Sequence, residues 1–138
     1  METQAVRFVW PVRVYWEDTD AGGVVYHASY LRFFERARTE WLRAQGIEQG
    51  LLRAEGNVLF VLSRIDVQYL RPARLDDLLE VRLALQELKR ASFIAQQHIV
   101  RSADQVLLCT GLARIACLHE QSFRPQAMPP HVHALIKA

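Results

Sequence analysis

The chain opens on a two-residue rhythm. From Val6 to Trp16 every even position is apolar (Val6, Phe8, Trp10, Val12, Val14, Trp16), while Arg7, Arg13 and Glu17 take odd ones. That period predicts a half-buried strand. Pro11 has no N–H to give a ladder and predicts a sheet edge or a bulge. The rhythm changes at "ASYLRFFERARTEWLRAQG", where Leu31, Phe34, Ala37, Trp41 and Ala44 recur near one stripe flanked by Tyr30 and Phe33. Arg32, Glu35, Arg36, Arg38, Glu40 and Arg43 fall elsewhere, so the segment predicts an amphipathic helix of about five turns. Gly46 suits its C-terminal stop, and Arg43 suits the negative end of its dipole. Alternation then returns in "NVLFVLSRIDVQYL" (Leu59, Val61, Ile65, Val67, Tyr69 on one side) and "LLEVRLALQEL" (Leu79, Val81, Leu83, Leu85). "ASFIAQQHIV" and "QVLLCTGLARIACL" complete the strands, with "LKRA" and "SADQ" as hairpin connections. The proline-punctuated end, "HEQSFRPQAMPPHVHALIKA", predicts a loosely ordered tail, residues 131–138 above all.

One strand, one long helix and four meandering strands predict an α+β fold in which a curved antiparallel sheet of about five strands wraps one central helix. A sheet covered on one face leaves edges and a second face open. Pairing is the usual remedy, which predicts at least a dimer, joined edge to edge or across sheet faces.

Composition narrows the function classes. The chain has 138 residues, 51% hydrophobic and 23% charged, the range of a single domain over 1–138 with a core of its own. A net charge of +2 from seventeen scattered basic residues gives no footprint for nucleic acid. No leader pattern opens the sequence and no run approaches the roughly 18 apolar residues of a transmembrane segment, so the expected location is cytoplasmic. Cys109 and Cys117 lie in one predicted strand, roughly 26 Å apart. Too far to pair within the chain, they read as buried free thiols of a reducing compartment.

The chemistry concentrates in "EDTDAGGVVYHASY", Glu17 to Tyr30. "DTDAGG" opens like a calcium loop but lacks its third acid and its twelfth-position glutamate. "AGG" lacks dinucleotide-loop spacing, no G-x-S-x-G is present, and "HVH" has no companion ligands, so neither a metal nor a cofactor is expected. What remains is an acid at a strand end, a glycine-permitted turn at Gly22 and Gly23, and a helix starting between His27 and Ser29. The N–H groups of a helix start can hold a developing oxyanion. Asp20 beside them suits attack on an activated acyl group such as a thioester. The structural alternative is an acid that caps the helix and glycines that merely turn.

"VRVYWEDTDAGGVVYHASYLRFFERARTEWLR" resembles the signature of the acyl-CoA thioesterases of the 4-hydroxybenzoyl-CoA type, most like the bacterial members associated with the Tol-Pal cell-envelope system. The likeness continues through "VQYLRPARLDDLLEVR" and spans about Phe8 to Pro130. It implies the hotdog fold, a curved sheet round one long helix, and hydrolysis of a thioester to acid and thiol. Carried onto this chain, it places the catalytic aspartate on Asp20 and the oxyanion-binding backbone N–H on His27, where relatives acting on aromatic rings have tyrosine. Short aliphatic acyl-CoA, or acyl groups on acyl carrier protein, are therefore the expected substrates. Tyr26 and the His27 imidazole are expected to shape the pocket or orient water, Gly22 and Gly23 to admit the substrate carbonyl, and Lys89 and Arg90 of "ELKRASF" to meet the coenzyme A phosphates, in a neighbouring subunit's site if need be. A homotetramer, a dimer of dimers, is also implied.

Two mechanisms are open for Asp20, nucleophile or general base toward water, and the nucleophile is favoured because the positive end of a helix suits a charged carboxylate. Two other functions compete. One is a scaffold that binds acyl carrier protein and lipid-synthesis enzymes with incidental hydrolysis. The other, a dehydratase, would want a histidine and an acid within the central helix, where Glu35 and Glu40 lie without one.

Overall fold

A computed structural model describes residues 4–138, so residues 1–3 of the expected domain lie outside the description. Five strands form one antiparallel sheet: β1 (Val6–Arg13), β2 (Val58–Tyr69), β3 (Leu78–Leu88), β4 (Ser92–Arg101) and β5 (Leu107–His119), in the spatial order β1-β3-β4-β5-β2. Pro11 lies on the edge strand β1, opposite Glu80, as its missing donor requires. β3, β4 and β5 form the expected meander, but β2 does not adjoin β3. It pairs with β5 at the far edge, so residues 70–77 cross the end of the sheet to reach β3.

The long helix α1 (Ser29–Ala44) lies against the inner face. Tyr30, Phe33, Phe34, Ala37, Trp41 and Leu42 are buried, while Leu31 and Ala44 are exposed. The apolar stripe is thus rotated from the expected one. Gly111 on β5 sets how closely the layers approach: a Cβ built there would stand 2.9 Å from a ring carbon of Phe34. Arg38, expected on the polar side, is buried. Its Nη1 donates to Gln97 Oε1 at 3.0 Å, and Gln97 Nε2 donates to the Phe34 carbonyl at 2.9 Å. This chain gives the buried guanidinium a partner from β4, and burial lowers its pKa from the ordinary value, with Glu35 acting the other way.

Three further expectations are corrected. The β2 alternation breaks at a bulge between Leu62 and Arg64; before it Val58 and Phe60 pack into the core, after it Ile65 and Val67 do, while Val61 is exposed. One extra residue inverts the parity. Trp16, assigned to the buried face of β1, belongs to a short 3-10 turn (Trp16–Asp18) and is 83% exposed. The tail is ordered: after an eight-residue helix α2 (Gln49–Gly56), also unanticipated, the chain ends in α3 (Pro130–Lys137). Val132 and Ile136, one turn apart, are buried with Trp41, Leu42 and Phe93, Pro130 sits in the first turn, and Arg7 Nη1 donates to the Ile136 carbonyl at 2.6 Å. Tertiary packing rather than propensity holds so short a helix.

Among the described residues, no helix is long and apolar enough to cross a membrane. Cys109 and Cys117 are free and buried. Burial pushes the Cys109 thiol up to about 12 and the Cys117 thiol up to about 11, which removes both as thiolate nucleophiles near neutral pH.

Candidate active site

Thr19 leaves the 3-10 turn in extended geometry and the chain reverses just after it, at Asp20. Gly23 N–H donates to the Asp20 carbonyl at 3.0 Å and Asp20 N–H to the Val24 carbonyl at 2.9 Å, a tight reversal through Ala21, Gly22 and Gly23. Gly23 adopts φ 78°, where an L side chain is strained. At Gly22 the constraint is space: its N–H donates to Asp20 Oδ1 at 2.8 Å, and a Cβ there would lie 3.2 Å from that same oxygen.

The three acids have separate fates. Asp18 is buried and its Oδ2 accepts the Tyr15 N–H at 2.8 Å, which makes it the lock of the 3-10 turn. Glu17 is exposed. Asp20 is exposed, with the Gly22 N–H as its carboxylate's partner among the described residues. None caps α1, whose N-cap is Ala28 and has no side-chain hydrogen bond. The helix-capping explanation of Asp20 therefore fails on geometry. Among the described residues the backbone N–H groups of His27 and Ala28, at the mouth of α1, have no acceptor. These are the unpaired donors that a helix start offers an anion.

Two tyrosines fix this mouth. Tyr69 Oη, from the end of β2, donates to the His27 carbonyl at 2.8 Å. Tyr30, on the first turn of α1, is buried and its Oη accepts the Ala73 N–H at 3.0 Å; burial raises its pKa above the ordinary value, so the hydroxyl stays protonated. The two rings meet edge to face at 5.4 Å. The Val25 N–H in turn donates to the Ala73 carbonyl at 2.9 Å, so the crossing segment 70–77 buttresses the Asp20 loop. Neither tyrosine nor the crossing segment was among the candidates, because the sequence offers no local sign that residues 69–74 return to residue 27. Tyr69→Phe is expected to lower kcat about three- to tenfold, the value of one hydrogen bond, with the melting temperature held. Stopped thiol-release assays beside thermal unfolding check this, and an unchanged kcat would remove Tyr69 from the positioning of the helix mouth.

Asp20, Gly22, Gly23, Tyr26 and His27 thus share one loop. The Tyr26 and His27 rings are 4.4 Å apart and both are exposed. Lys89 and Arg90 are not with them. They occupy the β3–β4 hairpin, at the opposite end of β3 from the crossing segment, roughly 33 Å along the strand. There Lys89 lies 3.8 Å from Glu87 and the Arg90 carbonyl accepts the Met128 N–H. Glu35 is exposed on α1, and Glu40 pairs with Arg43.

The sequence profile of the Thioesterase-like superfamily matches residues 14–136. The acyl-CoA thioester hydrolase YbgC of Escherichia coli O6:H1 is 46% identical over 130 residues, 94% of this chain and 96% of that protein. The acyl-CoA thioesterase YbgC of Haemophilus influenzae is 44% identical over 92% of each chain. Among solved structures, a probable thioesterase from Bartonella henselae superposes with a TM-score of 0.84 at 37% identity, over 91% of this chain and all of that one. A 1,4-dihydroxy-2-naphthoyl-CoA thioesterase from Synechocystis reaches a TM-score of 0.88 at 22% identity over 94% and 95% of the two chains, a likeness of fold.

Proposed function

The chain belongs to the thioesterase-like superfamily and is a thioesterase of the hotdog fold, and from that premise we propose that it hydrolyses short aliphatic acyl-CoA to free acid and thiol, with Asp20 as the attacking carboxylate. The observation that carries the reading is the pairing of an exposed, non-capping Asp20 with acceptor-free N–H groups at His27 and Ala28. The His27 N–H polarises the thioester carbonyl and holds the oxyanion. Asp20 attacks the carbonyl carbon, the thiolate leaves, and water cleaves the resulting mixed anhydride, regenerating the carboxylate. Gly22 and Gly23 leave room for the carbonyl, and Tyr26 with the His27 imidazole lines the acyl pocket.

Acyl groups on acyl carrier protein are the second substrate form in this proposal. A homotetramer is the assembly. Its support is the apolar surface round the site, where Tyr15, Trp16, Tyr26, Tyr69 and Leu70 are all exposed, and the open edge of β2, where Val61 and Leu62 are exposed. In that assembly Lys89 and Arg90 reach the site of another subunit. The cytoplasmic setting fits two buried free thiols. Association with the Tol-Pal system rests on the family resemblance alone.

Thiol release from acyl-CoAs graded in length and from aliphatic to aromatic tests the proposal. Turnover greatest with one short aliphatic class is the expected result. Inertness toward every thioester, with acyl carrier protein still bound by Asp20→Asn, would replace the enzyme with the scaffold.

A further inference from the structure

The segment that crosses from β2 to β3 joins the Asp20 loop in a small ribbon. Thr19 bridges to Val25 and Val24 to Arg74, both antiparallel, and the Asp20 N–H donates to the Val24 carbonyl. The ribbon therefore runs 19–20, 24–25, 73–74. Residues directly opposed across such a ribbon send their side chains to one face. Val25 and Ala73 are buried and form the inward face; Asp20, Val24 and Arg74 form the outward one, with Asp20 and Arg74 exposed. Two ladder steps separate Asp20 from Arg74, roughly 10 Å between their backbones, and an arginine side chain extends that reach.

Arg74 is also uncommitted. Among the described residues its guanidinium has no hydrogen bond or ion pair; its engaged groups are on the backbone, where the N–H donates to Asp77 Oδ2 at 2.9 Å and the carbonyl accepts the Asp77 N–H at 3.1 Å. Arg71, three positions earlier and also exposed, has no side-chain partner among the described residues either. The contrast is with Arg101, which is held by both Asp77 and Asp104. Arg74 is thus a spare cation in the ribbon of a loop that carries Glu17, Asp18 and Asp20 within four positions, and Arg71 is a second one earlier in the same crossing segment.

We propose that Arg74, assisted by Arg71, anchors the phosphate at the end of the thioester's pantetheine arm, on the same chain whose Asp20 meets the thioester. The inference rests on the thioester-hydrolase reading above. A pantetheine arm places its phosphate about thirteen bonds from the sulfur, roughly 15 Å when extended, a span that the roughly 10 Å between the two backbones and an arginine side chain leaning away from Asp20 can cover. Guanidinium and phosphate form charge-assisted, bidentate hydrogen bonds. A polyanionic carrier approaching three carboxylates needs positive charge at the entrance, and Arg71 and Arg74 supply it. Lys89 and Arg90, at the other pole of the sheet, cannot do this for their own Asp20.

One acyl group on three carriers tests the anchor: pantetheine, which has no phosphate, 4′-phosphopantetheine, and coenzyme A. The double variant Arg71→Ala, Arg74→Ala is compared with wild type and with Lys89→Ala, Arg90→Ala; both arginines are exposed and unpaired, so the variant folds. KM for the two phosphate-bearing thioesters is expected to rise about tenfold or more in the arginine variant, with kcat held and acyl-pantetheine unaffected. A KM for acyl-phosphopantetheine that does not move, an equal rise for acyl-pantetheine, or a loss that follows Lys89 and Arg90 instead would each overturn the assignment. Equilibrium binding of coenzyme A itself needs no turnover. A weaker Kd in the arginine variant would uphold the anchor even if no thioester were hydrolysed, and an unchanged Kd would overturn it.

Discussion

Asp20→Asn will lower the rate of thioester hydrolysis by about 10²- to 10⁴-fold and leave the protein as stable as before. The two halves of that expectation rest on different facts. Asparagine keeps an oxygen able to accept the Gly22 N–H, the one partner of the Asp20 carboxylate among the described residues, and the position is exposed, so the reversal through Gly23 survives. What the amide removes is charge, and with it either the nucleophile or the base. Thiol release at saturating acyl-CoA beside a thermal melt separates the two; a variant that melts normally and turns over normally would exclude Asp20 from the chemistry. A single turnover in oxygen-18 water then divides the mechanisms. Label entering the Asp20 carboxylate establishes the anhydride; label confined to the released acid fits either water activated by a general base or water attack on the acyl carbon of the anhydride, and an Asp20 hydroxamate formed with hydroxylamine marks the anhydride in that case.

Gly111→Val is expected to destabilise the fold by about 1 to 3 kcal/mol or somewhat more, the usual range for overpacking. A Cβ at Gly111 would meet three atoms of the Phe34 ring at 2.9, 3.0 and 3.3 Å, and the ring is fully buried. Neither side can yield cheaply: Gly111 is held in β5 between β2 and β4, paired to Val67 and Gln97, and the Phe34 carbonyl is fixed by Gln97. At about 3 °C per kcal/mol for a domain of this size, thermal unfolding reads the loss directly. Shortening the ring supplies the check. Gly111→Ala is expected to cost much less in a Phe34→Leu background than alone, and strictly additive losses would show that this contact does not set the spacing of helix and sheet. Because α1 carries the His27 mouth at its N-terminus, Gly111→Val is also expected to slow turnover at temperatures where the protein is still folded.

The helix and the Asp20 loop were legible because their information is local. The reversal, its two glycines, the acid and the helix start all fall within ten residues, and Tyr30, Phe34, Ala37 and Trp41 keep helical spacing. Other features needed the third dimension. The bulge after Leu62 inverts half of β2 with no glycine or proline to announce it. Arg38 is buried because Gln97, fifty-nine positions away, reaches it. α3 is ordered because Val132 and Ile136 find Trp41 and Phe93 and because Arg7 holds its last carbonyls. At the site, Tyr69, Ala73 and Arg74 were invisible for one topological reason: β2 lies at the far edge of the sheet, so the segment after it must travel across the open end and over the Asp20 loop.

That crossing also bears on the order in which the protein assembles. The β3-β4-β5 meander is built from neighbouring stretches of chain and closes short loops, whereas β1 and β2 must each find a partner forty or more positions away. Long loops cost entropy before their contacts reward it, so the two outer strands are expected to join last. The ribbon of Asp20, Val24 and Arg74 depends on both of them, since one segment follows β1 and the other follows β2. The Asp20 loop is then the final part to form and the first to open. As denaturant rises, hydrolysis should disappear while hydrogen exchange still finds the amides of Leu83, Gln97 and Ala113 protected, and the enzyme would pass through an inactive state whose central sheet is intact.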